Sequence, residues 1–199
     1  LDGGPWGQLG LIRALPTYNE YLAVQRNGNR GKLSRQWIQR DDVQVLVRWM
    51  QRHVSFHNFR GLCHGTRSGR EQSWFQDLLG WGDGSVVGTE ISDTATWAPN
   101  TIRWDFHAVK DEWISSFDFI FSNSLDHSFN PRLAVSQWMR CVSQGGVLIL
   151  EHSSSATGAA ANHWTGDLFG GSFSDYLKLA LLIDGSEVID IVHAADVRW

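Results

Sequence analysis

Two runs of this chain carry side chains able to do chemistry. Asn123-Ser124-Leu125-Asp126-His127-Ser128 sets a carboxylate beside an imidazole, directly after the apolar run Phe117 to Asn123. An imidazole titrates near neutrality, so His127 is the first candidate for a general base. Asp126 is either its partner or the base itself, and capping the following turn is the alternative role for both. The second run is Phe59-Arg60-Gly61-Leu62-Cys63-His64-Gly65-Thr66-Arg67-Ser68-Gly69-Arg70-Glu71. A short strand, a loop with glycines at 65 and 69 and a helix start form a ready site for a charged small ligand, because backbone N–H groups can point out of it. Glu90 and Asp105 each end a further strand-like run. A carboxylate at the first position can grip ribose hydroxyls about twenty residues beyond a glycine loop. At the second it can accept from an adenine amino group.

The elements that must position these groups follow from pattern and punctuation. Phe59 to Cys63, Val86 to Ile91, Thr101 to Phe106, Phe117 to Asn123 and Val147 to Glu151 are short apolar runs that predict five strands. Between them, Glu71 to Leu79 predicts a helix closed by Gly80, and Pro131 to Val142 a helix with proline in its first turn. Gly145-Gly146 predicts a turn into the last strand. Strands alternating with helices predict an α/β fold: a doubly wound, mostly parallel Rossmann-like sheet with helices on both faces. Upstream, Tyr18 to Gln25 predicts a helix interrupted by Asn27-Gly28-Asn29-Arg30-Gly31. Ser34 to His53 predicts another, with Ser34 as its cap. Downstream, Phe173 to Ile183 predicts a helix, with a hairpin at Asp184-Gly185 as the alternative, and Glu187 to His193 a sixth strand. We expect one domain over 1–199, with a helical cover at 1–55, a ligand-binding core at 56–152, and a lid loop with the last part of the sheet at 153–199.

Composition excludes several classes. A net charge of −4 with 19% charged residues leaves no basic footprint for nucleic acid. No apolar run is long enough to cross a bilayer, and Leu1 to Gly10 lacks the pattern of a signal peptide. Without an initiator Met, a fragment or trimmed product is expected. Cys63 and Cys141 are too few for a disulfide framework, so reduced thiols and a cytoplasmic protein are expected. Eleven Trp residues predict core and edge packing, with an aromatic-lined pocket as the alternative. Eight His residues form no H-E-x-x-H or Cys/His cluster. Asp126, His127 and His152 could converge at one sheet edge, yet no metal is expected. A G-x-S-x-G elbow is absent as well.

The loop lacks the G-x-G-x-x-G spacing of a nicotinamide dinucleotide site and the G-x-x-x-x-G-K-[ST] of a phosphate loop. From about Phe59 to His152 the chain instead resembles the class I S-adenosylmethionine-dependent methyltransferases. In particular it resembles a methyltransferase-like group whose first loop reads G-T-R-x-G-x-E, here Gly65 to Glu71. The resemblance implies S-adenosylmethionine as cofactor. Cys63, Gly65, Thr66, Arg67, Gly69 and Glu71 would then lie beside its methionine part, Glu90 and Ile91 at the ribose, and Asp105 and Phe106 at the adenine. Asn123 belongs to the fourth-strand motif lining the reaction site, where Asp126 and His127 would be catalytic. Gln144 to Leu148 would match the turn into the fifth strand. Cys63 stands where the common family loop has an acid, and Arg67 replaces its middle glycine. Arg67 offers a fork of donors for the methionine carboxylate, and Glu71 can restore the balance of charge.

The implied activity is in-line methyl transfer to a small-molecule acceptor, with His163 and Trp164 as acceptor contacts by position. The alternatives are a non-catalytic binding module of the same fold and, third, a nucleotide-dependent oxidoreductase.

Overall fold

Residues 9–153, 167–183 and 185–192 are described by the computed structural model. In chain order the elements are β1 (Leu11–Ile12), α1 (Tyr18–Gly31), α2 (Arg40–His53), β2 (Gly61–His64), α3 (Arg70–Leu79), β3 (Val86–Glu90), β4 (Thr101–Arg103), β5 (Phe117–Ser122), α4 (Pro131–Cys141), β6 (Val142–Leu150), β7 (Phe169–Gly170) and α5 (Phe173–Leu181). Single 3₁₀ turns occupy Asp93–Trp97, Asp111–Trp113 and Leu125–His127.

Alternation along the short strands produces two half-cores. Leu62 and Ile120 point to one face of the sheet, where α4 and α5 bring Ala134, Val135, Trp138 and Leu179 against them. Cys63, Phe119 and Phe121 point to the other, against Val43, Val47 and Met50 of α2 and Phe75 of α3. A sheet apolar on both faces needs helices on both, and β5 is accordingly buried at every position. The strands run in the order β4-β3-β2-β5-β6, and every pairing is parallel. The chain steps outward from β2 to β4 on one side and from β5 to β6 on the other. The order therefore reverses between β2 and β5, and their carboxyl ends frame the crevice in which such sheets bind ligands. This is the expected doubly wound α/β Rossmann-like architecture.

Several local expectations are revised. α1 does not break at Asn27-Gly28-Asn29 but continues to Gly31, because the buried Asn29 side chain accepts from Thr94 Oγ1 at 2.8 Å and tertiary contact overrides poor propensity. α2 begins at Arg40 rather than Ser34, and the Asp42 carboxylate accepts from the Gln39 backbone N–H at its start. A small antiparallel pair, β1 with β7, had no sequence signal because each strand has two residues. Residues 187–192 form no strand, and His193 lies outside the described residues. The helix reading of 173–183 stands as α5, which ends at Leu181. Gly145-Gly146 falls where the β5–β6 register shifts, so the chain loops out before pairing resumes at Val147. Both cysteines are free and buried. No described helix is long and apolar enough to cross a membrane.

Asp118 shows how one strand residue fixes its neighbourhood. It is fully buried, and its carboxylate accepts from the backbone N–H groups of His57 (3.1 Å), Asn58 (3.0 Å) and Arg60 (3.3 Å). The chain entering β2 is thereby tied to β5 at the end of the sheet opposite the crevice.

Candidate active site

The loop after β2 is built on backbone strain and close approach. Gly65 has φ +72°, and a Cβ there would stand 2.5 Å from Ser124 Oγ, so a residue with a side chain would push β2 and β5 apart. Arg67 holds φ +43° without being glycine. The N–H groups of Gly65 and Thr66 donate to Thr89 O at 2.9 and 3.1 Å, that of Gly69 to Thr66 O at 2.9 Å, and that of Arg67 to Glu90 Oε2 at 3.2 Å. The loop expected to offer its amides to a charged ligand therefore has these four amides engaged by β3 and by itself. That geometry does not cradle a pyrophosphate.

Glu90 closes the floor of the crevice. It is 5% exposed; Oε1 accepts from Ser92 N–H at 2.8 Å and Oε2 from Arg67. Burial pushes its carboxyl above the ordinary range, against the hydrogen bond from Ser92 and the nearby Arg67 charge. Each oxygen retains a lone pair, so the group can still accept from a ligand hydroxyl.

A cleft of about 50 Å³ opens beside Glu90. Gly65, Arg67, Thr89 and Ile91 form its base, Trp104 and Phe106 its far wall, and Ser124 and His127 the end toward β5. Its roof is one stripe of α1, Tyr21, Gln25, Gly28 and Asn29, recurring at helical spacing. Tyr18 pins this helix, donating to Asp105 Oδ2 at 2.7 Å. Asp105 Oδ1 accepts from the backbone N–H of His107 at 2.9 Å and contacts His107 Nδ1 at 2.7 Å. Burial alone would raise the Asp105 carboxyl, but these partners hold it below its ordinary range.

Gly65, Arg67, Glu90, Ile91, Phe106 and His127 thus meet at one cleft. Cys63 does not reach it: the thiol is fully buried against Phe75 and Phe121, and burial raises its pKa. Thr66 and Gly69 shape the loop without lining the cleft. Asp105 stands behind the wall and braces the cover. Glu71 lies under the loop, 5% exposed, with Oε1 accepting from Gln36 Nε2 at 2.7 Å and Oε2 without a partner. Asn123 Nδ2 stands near the carboxylates of Glu71 and Glu151 and favours their ionised forms, without meeting either in hydrogen-bond geometry. Burial, with Asp42 and Glu71 nearby, lifts the Glu151 carboxyl to about 7.

Beyond His127 the arrangement differs from expectation. Asp126 and His127, neighbours in sequence, are joined by a second carboxylate, Asp167, whose Oδ1 stands 3.5 Å from His127 Nδ1. The Leu168 N–H donates to Asp126 O at 2.8 Å, which holds the 167–170 segment against the turn. Asp126 Oδ1 is shielded from solvent without a hydrogen-bond partner, and burial raises its carboxyl. His152, the expected third group, instead has Nε2 3.2 Å from Gly171 O and packs on Tyr176. His163 and Trp164 lie outside the described residues.

Sequence reasoning also missed Trp104, Tyr21 and Asp167. Tyr21 and Gln25 were legible in principle as one face of a predicted helix. Asp167 sits beyond a long loop and carried no signal.

No protein-family model matches the chain, and no curated protein matches it in sequence. Solved structures do match. The plantazolicin methyltransferase BpumL, in complex with a triazolic desmethylPZN analog and SAH, is similar with a TM-score of 0.58 and 13% identity, over 81% of this chain and 74% of that one. A chain of the complex between the Haloferax volcanii Trm112 methyltransferase activator and the putative methyltransferase gives 0.57 and 16%, over 80% and 74%. Geranyl diphosphate C-methyltransferase from Streptomyces coelicolor A3(2), with Mg2+, geranyl diphosphate and S-adenosyl-L-homocysteine, gives 0.55 and 12%, over 84% and 80%. At these identities the likeness establishes the fold, which is the α/β fold of the class I methyltransferases.

Proposed function

We propose that the protein is an S-adenosylmethionine-dependent methyltransferase acting on a small-molecule acceptor. The observation that carries this reading is the pairing of a buried carboxylate, Glu90, with a glycine loop whose amides are engaged internally. Such a crevice suits a ligand with ribose hydroxyls and no phosphates. Glu90 accepts from the ribose, Ile91, Trp104 and Phe106 flank the base, and Arg67 meets the methionine carboxylate through its fork of donors. The sulfonium methyl then faces the β5 end, where Asp126 and His127 prepare the acceptor. Methyl transfer is an in-line displacement, so alignment of acceptor and sulfonium supplies much of the rate.

The cleft as it stands has room for a few waters only. Cofactor entry is therefore expected to displace α1 and to break its Tyr18–Asp105 contact. That tight cover also favours the second reading, a non-catalytic module of the same fold.

Calorimetric titration with S-adenosylmethionine, S-adenosylhomocysteine and NAD tests both readings. Saturable heat with the first two and none with NAD is expected. Silence from all three at millimolar ligand, with folded protein, leaves the non-catalytic module.

A further inference from the structure

At the β5 end of the cleft, three metal-ligating side chains from two distant segments converge. Asp126 and His127 lie on the 3₁₀ turn after β5, and Asp167 stands two residues before the start of β7. One ligand atom from each falls within 4.8 Å of the other two. Donors around a single ion at about 2.0–2.2 Å stand roughly 3–4 Å apart, so small side-chain rotations close the set.

Two further observations mark this as more than a group of acids. Asp126 Oδ1 is shielded from water and lacks a hydrogen-bond partner, and a buried carboxylate oxygen in that state is costly. Asp167 is only 9% exposed, and its contact with His127 Nδ1, at 3.5 Å, is longer than a hydrogen bond. Glu151 Oε2 is also buried and without a partner, and its carboxyl interacts with Asp126. Lys32 and Arg67 are the cations that act on Asp126 across the cleft.

We propose that Asp126, His127 and Asp167 bind a divalent cation at the acceptor end of the cleft. Two carboxylate oxygens and one imidazole nitrogen suit a borderline ion such as Mn2+ or Zn2+. This departs from the sequence expectation of no metal, and the ion becomes the group that prepares the acceptor. Its role in the reaction rests on the methyltransferase reading above. An acceptor hydroxyl on the ion releases its proton to solvent more readily. Its oxygen lone pair then forms the O–CH3 bond, while the S–CH3 bonding pair moves to sulfur and leaves a neutral thioether. The acceptor class is accordingly an oxygen nucleophile.

Equilibrium dialysis of the full chain, stripped with chelator, against Mn2+ and separately Zn2+ tests the site, with metal counted by elemental analysis. We expect about one ion per chain for at least one metal. Asp167→Asn and His127→Gln should each weaken binding at least tenfold while circular dichroism stays unchanged. Absence of saturable binding of both metals, or unaltered binding in both variants, overturns the proposal. Calorimetry with S-adenosylhomocysteine on the same samples separates the two ideas. Cofactor binding without a metal site removes only the cation, whereas a metal site without cofactor binding removes only the methyltransferase reading.

Discussion

The Arg67 backbone N–H donates to Glu90 Oε2 across 3.2 Å, which joins the strained loop after β2 to the end of β3 as one unit. This contact makes Glu90 both a ligand for the loop and the floor of the cleft. Its two roles can be separated by substitution.

Glu90→Gln keeps an acceptor oxygen for one of the two backbone donors, whereas Glu90→Ala removes both. Loss of a charged acceptor costs roughly 1.5–3 kcal/mol per hydrogen bond. We expect S-adenosylhomocysteine affinity to fall at least tenfold in Glu90→Ala and less in Glu90→Gln, measured calorimetrically. Equal affinity in wild type and Glu90→Ala would place the ribose elsewhere.

The cover makes a kinetic prediction. Tyr18→Phe deletes the hydroxyl that donates to Asp105 and leaves the ring to pack on Tyr21 and Phe129. A hydrogen bond to a charged acceptor is worth roughly 1.5–3 kcal/mol. Hydrogen exchange of α1 amides should accelerate while β5 amides stay protected. Cofactor association in stopped flow should become faster by a few-fold. Unchanged exchange in α1 would mean that other contacts hold the cover.

The sheet and the line-up of Gly65, Glu90 and the β5 motif were legible because each rests on local signals: short apolar runs, glycines at strand exits, carboxylates at strand ends. What was not legible depends on distance in sequence. Arg67, Thr66 and Gly65 are in the loop as expected, but only the fold shows that their amides are taken by Thr89 and Glu90. Asp105 satisfied the positional rule for an adenine contact, yet Tyr18, from a helix 87 residues away, occupies it. His127 seemed paired with Asp126 by adjacency. Asp126 does share a corner of the cleft with His127, but adjacency could not indicate the second carboxylate beside the imidazole, Asp167, which arrives from beyond β6.

His64 makes a prediction about pH. It is 2% exposed, its Nδ1 lies 2.8 Å from Thr89 Oγ1, and its ring stacks on Trp138. Burial drives its pKa from the ordinary 6.5 down to about 3. The unfolded chain takes up this proton below 6.5 while the folded chain does not, so His64 costs stability as pH falls from 6.5 toward 3. Between pH 7.5 and pH 5 the loss is about 2 kcal/mol. The raised carboxyl of Glu151 works in the opposite direction, so the comparison must be with His64→Gln. Urea denaturation at the two pH values should show the variant losing about 2 kcal/mol less than wild type. Equal losses would mean that the folded His64 site accepts a proton.

Cys63 tests whether the family's usual acid could be restored. The position falls where that acid is expected, but the side chain faces Phe75, Phe119 and Phe121 in the α2–α3 half-core and is fully buried. Cys63→Asp would bury a carboxylate with no donor within the apolar cluster. An uncompensated polar group of this kind costs several kcal/mol, more if charged. We expect Cys63→Asp to lower the thermal midpoint by at least ten degrees, or to prevent folding, whereas Cys63→Ala loses only about 1 kcal/mol for a small cavity. Neither change should strengthen S-adenosylhomocysteine binding, because the thiol does not line the cleft. If Cys63→Asp instead folds normally and binds cofactor more tightly, the strand must rotate its end toward the crevice. The charge at the methionine end would then come from position 63 rather than from Arg67 and Glu71.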